Sequence, residues 1–210
     1  MRNHLLFYIV LFNALSGCAS YKATQAPMPE PGNMMAWKTE QKVDVGVNPY
    51  ISPKDQKQFF GANIKDKGIL AIQVYLKNNG KRVMLARPSD MLLKLPQGKE
   101  LTSARTSEVV SKLQKSGSFW GTFFFGFIGM MAAESSNDRA NASMLSDFRN
   151  KEFHEVRLKN DDSTHGFIYF VIPEQHSDDP DATLLVRVVD AEEATSIVIK
   201  LPIKIADNKK

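Results

Sequence analysis

Apolar and polar residues alternate along much of this chain with a period of two, the pattern of β-strands that bury one face. The clearest case is the segment 197–205, where every second residue is isoleucine or leucine and the polar residues between them include Lys200. Residues 43–47 show the same alternation with valine. The segments 69–76 and 167–172 are apolar at almost every position, so we expect strands buried on both faces and place 167–172 at the centre of a sheet.

Turn signals divide these segments into about seven short strands. Asn78-Asn79-Gly80 is typical of a tight turn, so we expect residues 83–86 to form the return strand after 69–76. Residues 91–95 form a further expected strand. This order predicts a mainly β fold, an antiparallel β-sandwich. We also expect a turn at 96–99, a strand at 184–189 and a loop at 190–194.

A short helix is expected between two of the strands. Ser52 suits its N-cap, Pro53 its first position and Asp55 its first turn. Gly61 is placed to end it.

The strand pattern is interrupted over residues 107–152. Residues 107–114 have helical periodicity, and a polar helix that Ser135, Ser136 or Asp138 could cap carries Met144, Leu145 and Phe148 on one side. Between them lies an uncharged run, 116–133, in which small residues recur with helical spacing opposite a face of aromatic residues. We define this run as the apolar arm. Its candidate interaction residues are Gly117, Phe119, Trp120, Gly121, Phe123, Phe124, Phe125, Gly126, Phe127 and Gly129.

Three interpretations of the apolar arm stay open. It has about the length of a single membrane crossing, but one crossing would put the strands on either side of it on opposite sides of the membrane. In the second interpretation it packs over the sandwich as part of the core. Alternatively, it forms a helical hairpin that meets lipid or another subunit, since small residues at this spacing allow close approach of helices.

The N-terminus has the layout of a secretory signal, with Arg2 followed by the apolar run 5–12. The motif Leu15-Ser16-Gly17-Cys18 then resembles the lipobox of bacterial lipoproteins. That resemblance implies cleavage after Gly17 and covalent lipid on Cys18. In this family, Ala19 after the cysteine favours the outer membrane, so we expect a lipid-anchored protein on the periplasmic face of the outer membrane.

The expected domain organisation follows from these features. Residues 1–17 are the signal peptide, and 18–40 form a proline-rich tether. The sandwich domain covers 41–205, interrupted by 107–152, and 206–210 form a polar tail. Segments 41–105 and 153–205 resemble the small immunoglobulin-like domains of bacterial lipoproteins, which implies the same fold here. Cys18 is the only cysteine, so the mature domain has no disulfide bond.

Charge and motif content narrow the function classes. The net charge is +4 with lysine and arginine scattered among acidic residues, so we expect no nucleic-acid partner. No catalytic motif is present, and the spacing of His154, His165 and His176 fits no zinc site. We expect neither a metal nor a cofactor beyond the lipid, and we expect the acidic residues at 178–181 to form a solvated turn.

The sequence thus predicts a non-enzymatic lipoprotein that acts as a structural or assembly component of an envelope complex. The apolar arm would mediate self-association or docking to another envelope protein. The alternative is a periplasmic module that binds a ligand or peptide at a sheet edge, with the arm buried. A hydrolase is a more distant third.

Overall fold

Nine β-strands in two antiparallel sheets and three α-helices make up the described part of the computed structural model, residues 23–25, 27–115, 134–177 and 179–206. The helices are α1 (Pro53–Phe60), α2 (Thr106–Lys115) and α3 (Glu134–Lys151). The strands are β1 (Ala36–Glu40), β2 (Val43–Tyr50), β3 (Ile69–Asn78), β4 (Met84–Lys94), β5 (Glu100–Thr102), β6 (Val156–Leu158), β7 (Ser163–Val171), β8 (Asp181–Asp190) and β9 (Ser196–Lys204).

The two sheets have the strand arrangement of an immunoglobulin-like sandwich. The first has the order β1-β2-β3-β7 and the second β5-β4-β8-β9, with β6 beside β5 on the same edge of β4. In an immunoglobulin domain, strands A, B and E share one sheet and C, F and G the other. Here β2, β3 and β7 correspond to A, B and E, and β4, β8 and β9 to C, F and G. The predicted fold class is confirmed.

A core between the sheets is built from alternate residues of each strand. Strand β9 shows the rule most clearly, because Ile199 is fully buried whereas Lys200 is exposed. Phe170 of β7, in the first sheet, and Val186 of β8, in the second sheet, belong to the same buried cluster as Ile199. The period-two pattern therefore predicted correctly which face of β9 is buried.

A second core lies on the outer face of the first sheet. Phe167 and Tyr169 of β7 point away from the sandwich and are buried against residues of all three helices. Strand β7 is therefore apolar on both faces although it is the last strand of its sheet. The expectation of a central strand was wrong, since burial on two faces shows only that something covers each face.

Two expectations about strand pairing were also wrong. Residues 83–86 do not return beside β3, because the chain crosses to the second sheet after Asn78. The side-chain amide of Asn78 stabilises this crossing by donating to the carbonyl oxygens of Arg82, at 2.7 Å, and Leu158, at 3.0 Å. In addition, the strands expected at 83–86 and 91–95 are one strand, β4, with a register shift between Ala86 and Met91. Pro88 lies in that shift, where it takes no part in the ladder.

The sandwich begins before residue 41, so the tether expected over 18–40 is too long. Strand β1 pairs with β2 along its whole length. The indole of Trp37 stacks on Tyr75, with 5.6 Å between ring centroids, and covers Gly46. A β-carbon at Gly46 would collide with the Met34 sulfur and the Trp37 ring, so a larger residue here would displace both side chains.

The short helix occurs where the sequence predicts it. Ser52 precedes α1 without donating or accepting a side-chain capping hydrogen bond, and Pro53 is its first residue. Gly61 ends it in the left-handed conformation, with φ of 72°.

Candidate functional site

The two helices that flank the apolar arm lie against the outer face of the first sheet. Helix α2 corresponds to the helix expected over 107–114. Helix α3 includes Ser135 and Ser136, which the sequence placed at its N-terminus, and their side chains lie outside the described part of the structure. Together with α1 these helices form what we call the helical layer.

Amphipathic spacing explains why α2 and α3 dock. In α2, the fully buried Val109 and Leu113 are four residues apart, and Met144 and Phe148 of α3 have the same spacing. The ring of Phe148 lies 5.5 Å from that of Tyr169 on β7 and 5.5 Å from that of Phe60 on α1. Each helix therefore buries an apolar face against the sheet and the neighbouring helices.

The insertion is fixed to the sheet at both ends. The backbone amide of Ala104, just before α2, donates to the Tyr169 carbonyl at 2.7 Å, and that of Phe153, just after α3, donates to the Phe167 carbonyl at 2.8 Å. Both use the free edge of β7, where an immunoglobulin domain has its strand D. At Gly166 a β-carbon would lie 2.6 Å from the Phe153 α-carbon, so only glycine allows this close approach.

A side-chain contact joins the two ends directly. The Thr106 hydroxyl donates to the Glu152 carboxylate at 2.7 Å. The Thr106 backbone amide, one of the orphan donors at the start of α2, is 3.4 Å from the other oxygen of that carboxylate. The first residue of α2 is therefore held by the residue that follows α3.

A buried lysine ties α3 to α1. The Lys151 ammonium donates to the Asp147 carboxylate at 2.7 Å and to the Phe59 carbonyl, and it lies 5.8 Å from the centroid of the Phe60 ring. Burial lowers the pKa of Lys151, and the hydrogen bond that Lys151 donates to Asp147 opposes that shift. Burial also raises the pKa of Tyr169 well above its usual value and that of Tyr50 to about 12. These shifts accompany packing.

The N-terminal segment reaches the domain at the same layer. The Thr24 backbone amide donates to the Gln58 carbonyl of α1 at 2.9 Å. The buried Gln73 donates its side-chain amide to the Pro27 carbonyl at 3.0 Å. Cys18 is six positions before Thr24 in the sequence, so an extended chain between them spans at most about 20 Å.

The residues that the sequence singled out as functional, Cys18 and the ten arm residues between 117 and 129, lie outside the described residues. The structure therefore places next to one another the described elements that lead to the predicted site. These are α2 and α3, which flank the arm, and the segment that leads to Cys18. Among the described residues, no helix is both long and apolar enough to cross a membrane.

Sequence reasoning missed a polar cleft of about 410 Å³ at the other end of the sandwich, beside Asn78. Asp190 there accepts hydrogen bonds from the backbone amides of Glu192, at 2.9 Å, and Glu193, at 3.1 Å, and from Arg82 at 3.1 Å. These bonds lower the pKa of Asp190, the two backbone amides most strongly. The sequence signal was slight, since Asp190 begins an ordinary hairpin loop. This carboxylate braces that loop.

Histidine and acidic residues are dispersed over the described part of the chain. His176 pairs with Asp179 at 2.8 Å, whereas His154 is an exposed residue after α3 and His165 a half-buried one in β7. Within the described ranges, no three metal-ligating side chains come together.

Comparison with known proteins adds only distant structural similarities. No protein-family model matches the sequence, and no curated protein matches it. The yjhA protein of Bacillus subtilis has a TM-score of 0.41 and 11% identity, over 80% of this chain and 96% of that chain. A functionally unknown protein of Listeria monocytogenes EGD-e has a TM-score of 0.41 and 12% identity, over 80% of this chain and 81% of that chain.

A third similar structure is that of ycdA from Bacillus subtilis, provisionally named a lipoprotein. It has a TM-score of 0.41 and 13% identity, over 82% of this chain and 39% of that chain. Similarities at this level carry no functional argument, and the fold assignment rests on the strand arrangement itself.

Proposed function

We propose that this protein is a lipoprotein anchored through Cys18 to the periplasmic face of the outer membrane. It acts there as a non-enzymatic structural or assembly component of an envelope complex. The apolar arm is the surface that meets a second copy or another envelope protein.

One observation supports this assembly role above the others: the helices at the two ends of the arm are fixed to the sheet and to each other by described residues. Helices α2 and α3 bury their own apolar faces, and Thr106 and Glu152 join their bases. The outward side chains of β7 are already in contact with these helices. The base of the arm is therefore anchored to the domain, and we infer that its glycines and aromatic residues serve a contact outside the domain.

The anchor is supported by the sequence motif and by the short reach of the N-terminal chain. Thr24 contacts α1 and Pro27 contacts β3, so only a few residues lie between Cys18 and the domain. A lipid there holds the helical layer, and with it the base of the arm, close to the membrane.

A non-enzymatic role is supported by what the perturbed groups do. The pKa values of Lys151, Tyr169 and Tyr50 are shifted mainly by burial in the helical layer, and that of Asp190 by loop hydrogen bonds. Each of these groups packs against or hydrogen-bonds to a neighbouring part of the fold, as residues with a structural role do.

Cys18→Ser tests the anchor. A thioether needs sulfur, so the variant should accumulate as a precursor without lipid, whereas the native chain should be processed and extracted only by detergent. Mass spectrometry of the N-terminus and membrane fractionation measure both properties. Normal cleavage of the variant together with retention in the membrane would contradict the proposal.

The assembly role is tested on the native protein after extraction in mild detergent, by measuring the mass of the intact particle. We expect a mass of more than one copy, or of this chain with a second protein. A monomer free of other proteins contradicts the assembly role.

A second candidate function, capture of an apolar peptide, is favoured by a groove of about 500 Å³ at the ends of β4, β8 and β9. It is lined by Leu95, Pro202 and Ile203, and by Met35, whose side chain is 45% exposed. This candidate predicts a monomer whose peptide binding is weakened by Met35→Asp, whereas the assembly role predicts no change in particle mass for that variant.

A further inference from the structure

A second polar cleft, of about 530 Å³, opens where β3 begins and β7 ends, beside α2. Its rim carries Lys65, Lys67 and Lys112. Gly68 lies between these lysines with φ of 70°, and a β-carbon there would be 3.0 Å from the Ile172 carbonyl oxygen and 3.7 Å from the Lys112 ammonium. Glycine therefore keeps this part of the cleft open.

The three lysines form no ion pair with any described residue. Asp66 and Glu174 also line the cleft, which leaves it with one net positive charge. A flexible ammonium without a partner can bind an anion from outside. The geometry thus offers several donors to a negatively charged group.

The elements beside this cleft lead to both segments that the sequence singled out, Cys18 and the apolar arm. The backbone amide of Lys65 donates to the side chain of Gln56 on α1 at 2.8 Å, and α1 is also the helix that Thr24 contacts. From Thr24, Cys18 is within about 20 Å along the chain. On the other side, only three residues separate Lys112 from residue 116, the start of the apolar arm.

We propose that this cleft faces the anchoring membrane and that Lys65, Lys67 and Lys112 bind the phosphate groups of anionic lipids. The orientation rests on the lipid anchor proposed above, which brings α1 and its neighbours to the headgroup region. Charge complementarity selects the occupant, because the headgroup region is where phosphate is concentrated. Each lysine near an anionic surface strengthens binding by about fivefold.

The test uses the chain from Ala19 onward without lipid, which retains every described element. Its affinity is measured by co-sedimentation with vesicles of phosphatidylcholine alone and of equal parts of phosphatidylcholine and phosphatidylglycerol. We expect binding to the anionic vesicles to be stronger by at least about tenfold and to weaken as salt screens the charges.

Two triple variants with the same change of net charge separate the cleft from general attraction. Combining Lys65→Gln, Lys67→Gln and Lys112→Gln should abolish the preference for anionic vesicles. The control combines Lys81→Gln, Lys159→Gln and Lys200→Gln, which are exposed lysines far from the cleft, and should change affinity by less than about threefold. Thermal midpoints of both variants verify that they fold.

Equal affinity for the two kinds of vesicle, or equal losses in the two triple variants, would overturn the proposed lipid site. Because this chain carries no lipid, neither result depends on Cys18. Failure of the anchor is detected separately, by the processing of Cys18→Ser. The two proposals can therefore fail independently.

Discussion

At the scale of single residues, stability depends on side chains between the sheets, since Cys18 is the only cysteine of the chain and no disulfide bond can form within it. Phe170 is fully buried there. We expect Phe170→Ala to lower the free energy of unfolding by about 3–5 kcal/mol, because it removes an aromatic ring and leaves a cavity. Lys200 is exposed on the outward face of β9, so Lys200→Ala should cost less than about 0.5 kcal/mol. Urea denaturation measures both, and equal losses would mean that the faces of these strands are wrongly assigned.

Gly166 is the residue on which attachment of the helical insertion depends. In Gly166→Ala the new β-carbon would lie 2.6 Å from the Phe153 α-carbon and 2.7 Å from its amide nitrogen. Backbone must then shift, at a cost of about 1–3 kcal/mol. Gly32→Ala is the matched control, because nothing lies within 4 Å of its β-carbon position. Thermal denaturation compares the two, and identical midpoints would show that Phe153 does not approach β7 this closely.

At the scale of elements, the buried Lys151 makes the docking of α3 depend on pH. Its pKa is lowered below the usual 10.5 in the folded protein. Between the lowered pKa and 10.5 the unfolded chain holds a proton that the folded protein has released. The free energy of unfolding therefore rises with pH across that interval, and the gain is absent at lower pH, where both states are protonated.

Lys151→Met isolates this effect. The variant should be less stable by about 1–3 kcal/mol, because the Phe59 carbonyl loses this donor. The deficit should grow as pH approaches 10.5, since only the native protein gains stability there. Urea denaturation of both proteins over a pH series measures the difference, and a deficit that is constant with pH would contradict the pKa shift. Lys200→Met serves as the control for loss of an exposed lysine.

The elements also show what sequence periodicity can and cannot determine. Alternation in β9 identified its buried face, and the signals around Pro53 and Gly61 located α1. The elements that pack against each strand were less predictable. Strand β7 is apolar on both faces, and this pattern does not show whether a sheet or a helix covers each face. The crossing at Asn78 depends on carbonyl oxygens of Leu158 and Lys159, which are far away in the sequence. No local pattern contains that contact.

At the scale of the whole molecule, the sandwich has one side that is specialised. The helical layer covers the first sheet, receives the N-terminal segment and carries the base of the apolar arm, whereas the outward face of β9 alternates polar residues with Val198. The sequence singled out Cys18 and the arm, but nothing in it showed that the segments leading to them reach the same layer. That placement comes from Thr24 on α1 and from the docking of α2.

The assembly role can be tested on the whole molecule by Gly121→Leu, which puts a branched side chain into the row of small residues. If the arm packs helix against helix, backbones must approach closely there, so the particle should fall to a single copy of the chain. The thermal midpoint should stay within about 1 °C of the native value, since Phe148, Tyr169 and their neighbours, which hold α2 and α3 to the sheet, are unchanged.

An arm that only covers the domain predicts the reverse result for Gly121→Leu. Overpacking would then cost about 1–3 kcal/mol and leave the particle mass unchanged. Gly32→Leu controls for the added surface hydrophobicity, because Gly32 has open space around it and lies outside the arm. Thermal midpoint and mass are recorded on the same detergent-extracted sample. A Gly121→Leu variant that melts early at native mass, beside a normal Gly32→Leu, would therefore rule out the assembly role while leaving the lipid anchor and the cleft at Gly68 to their own tests.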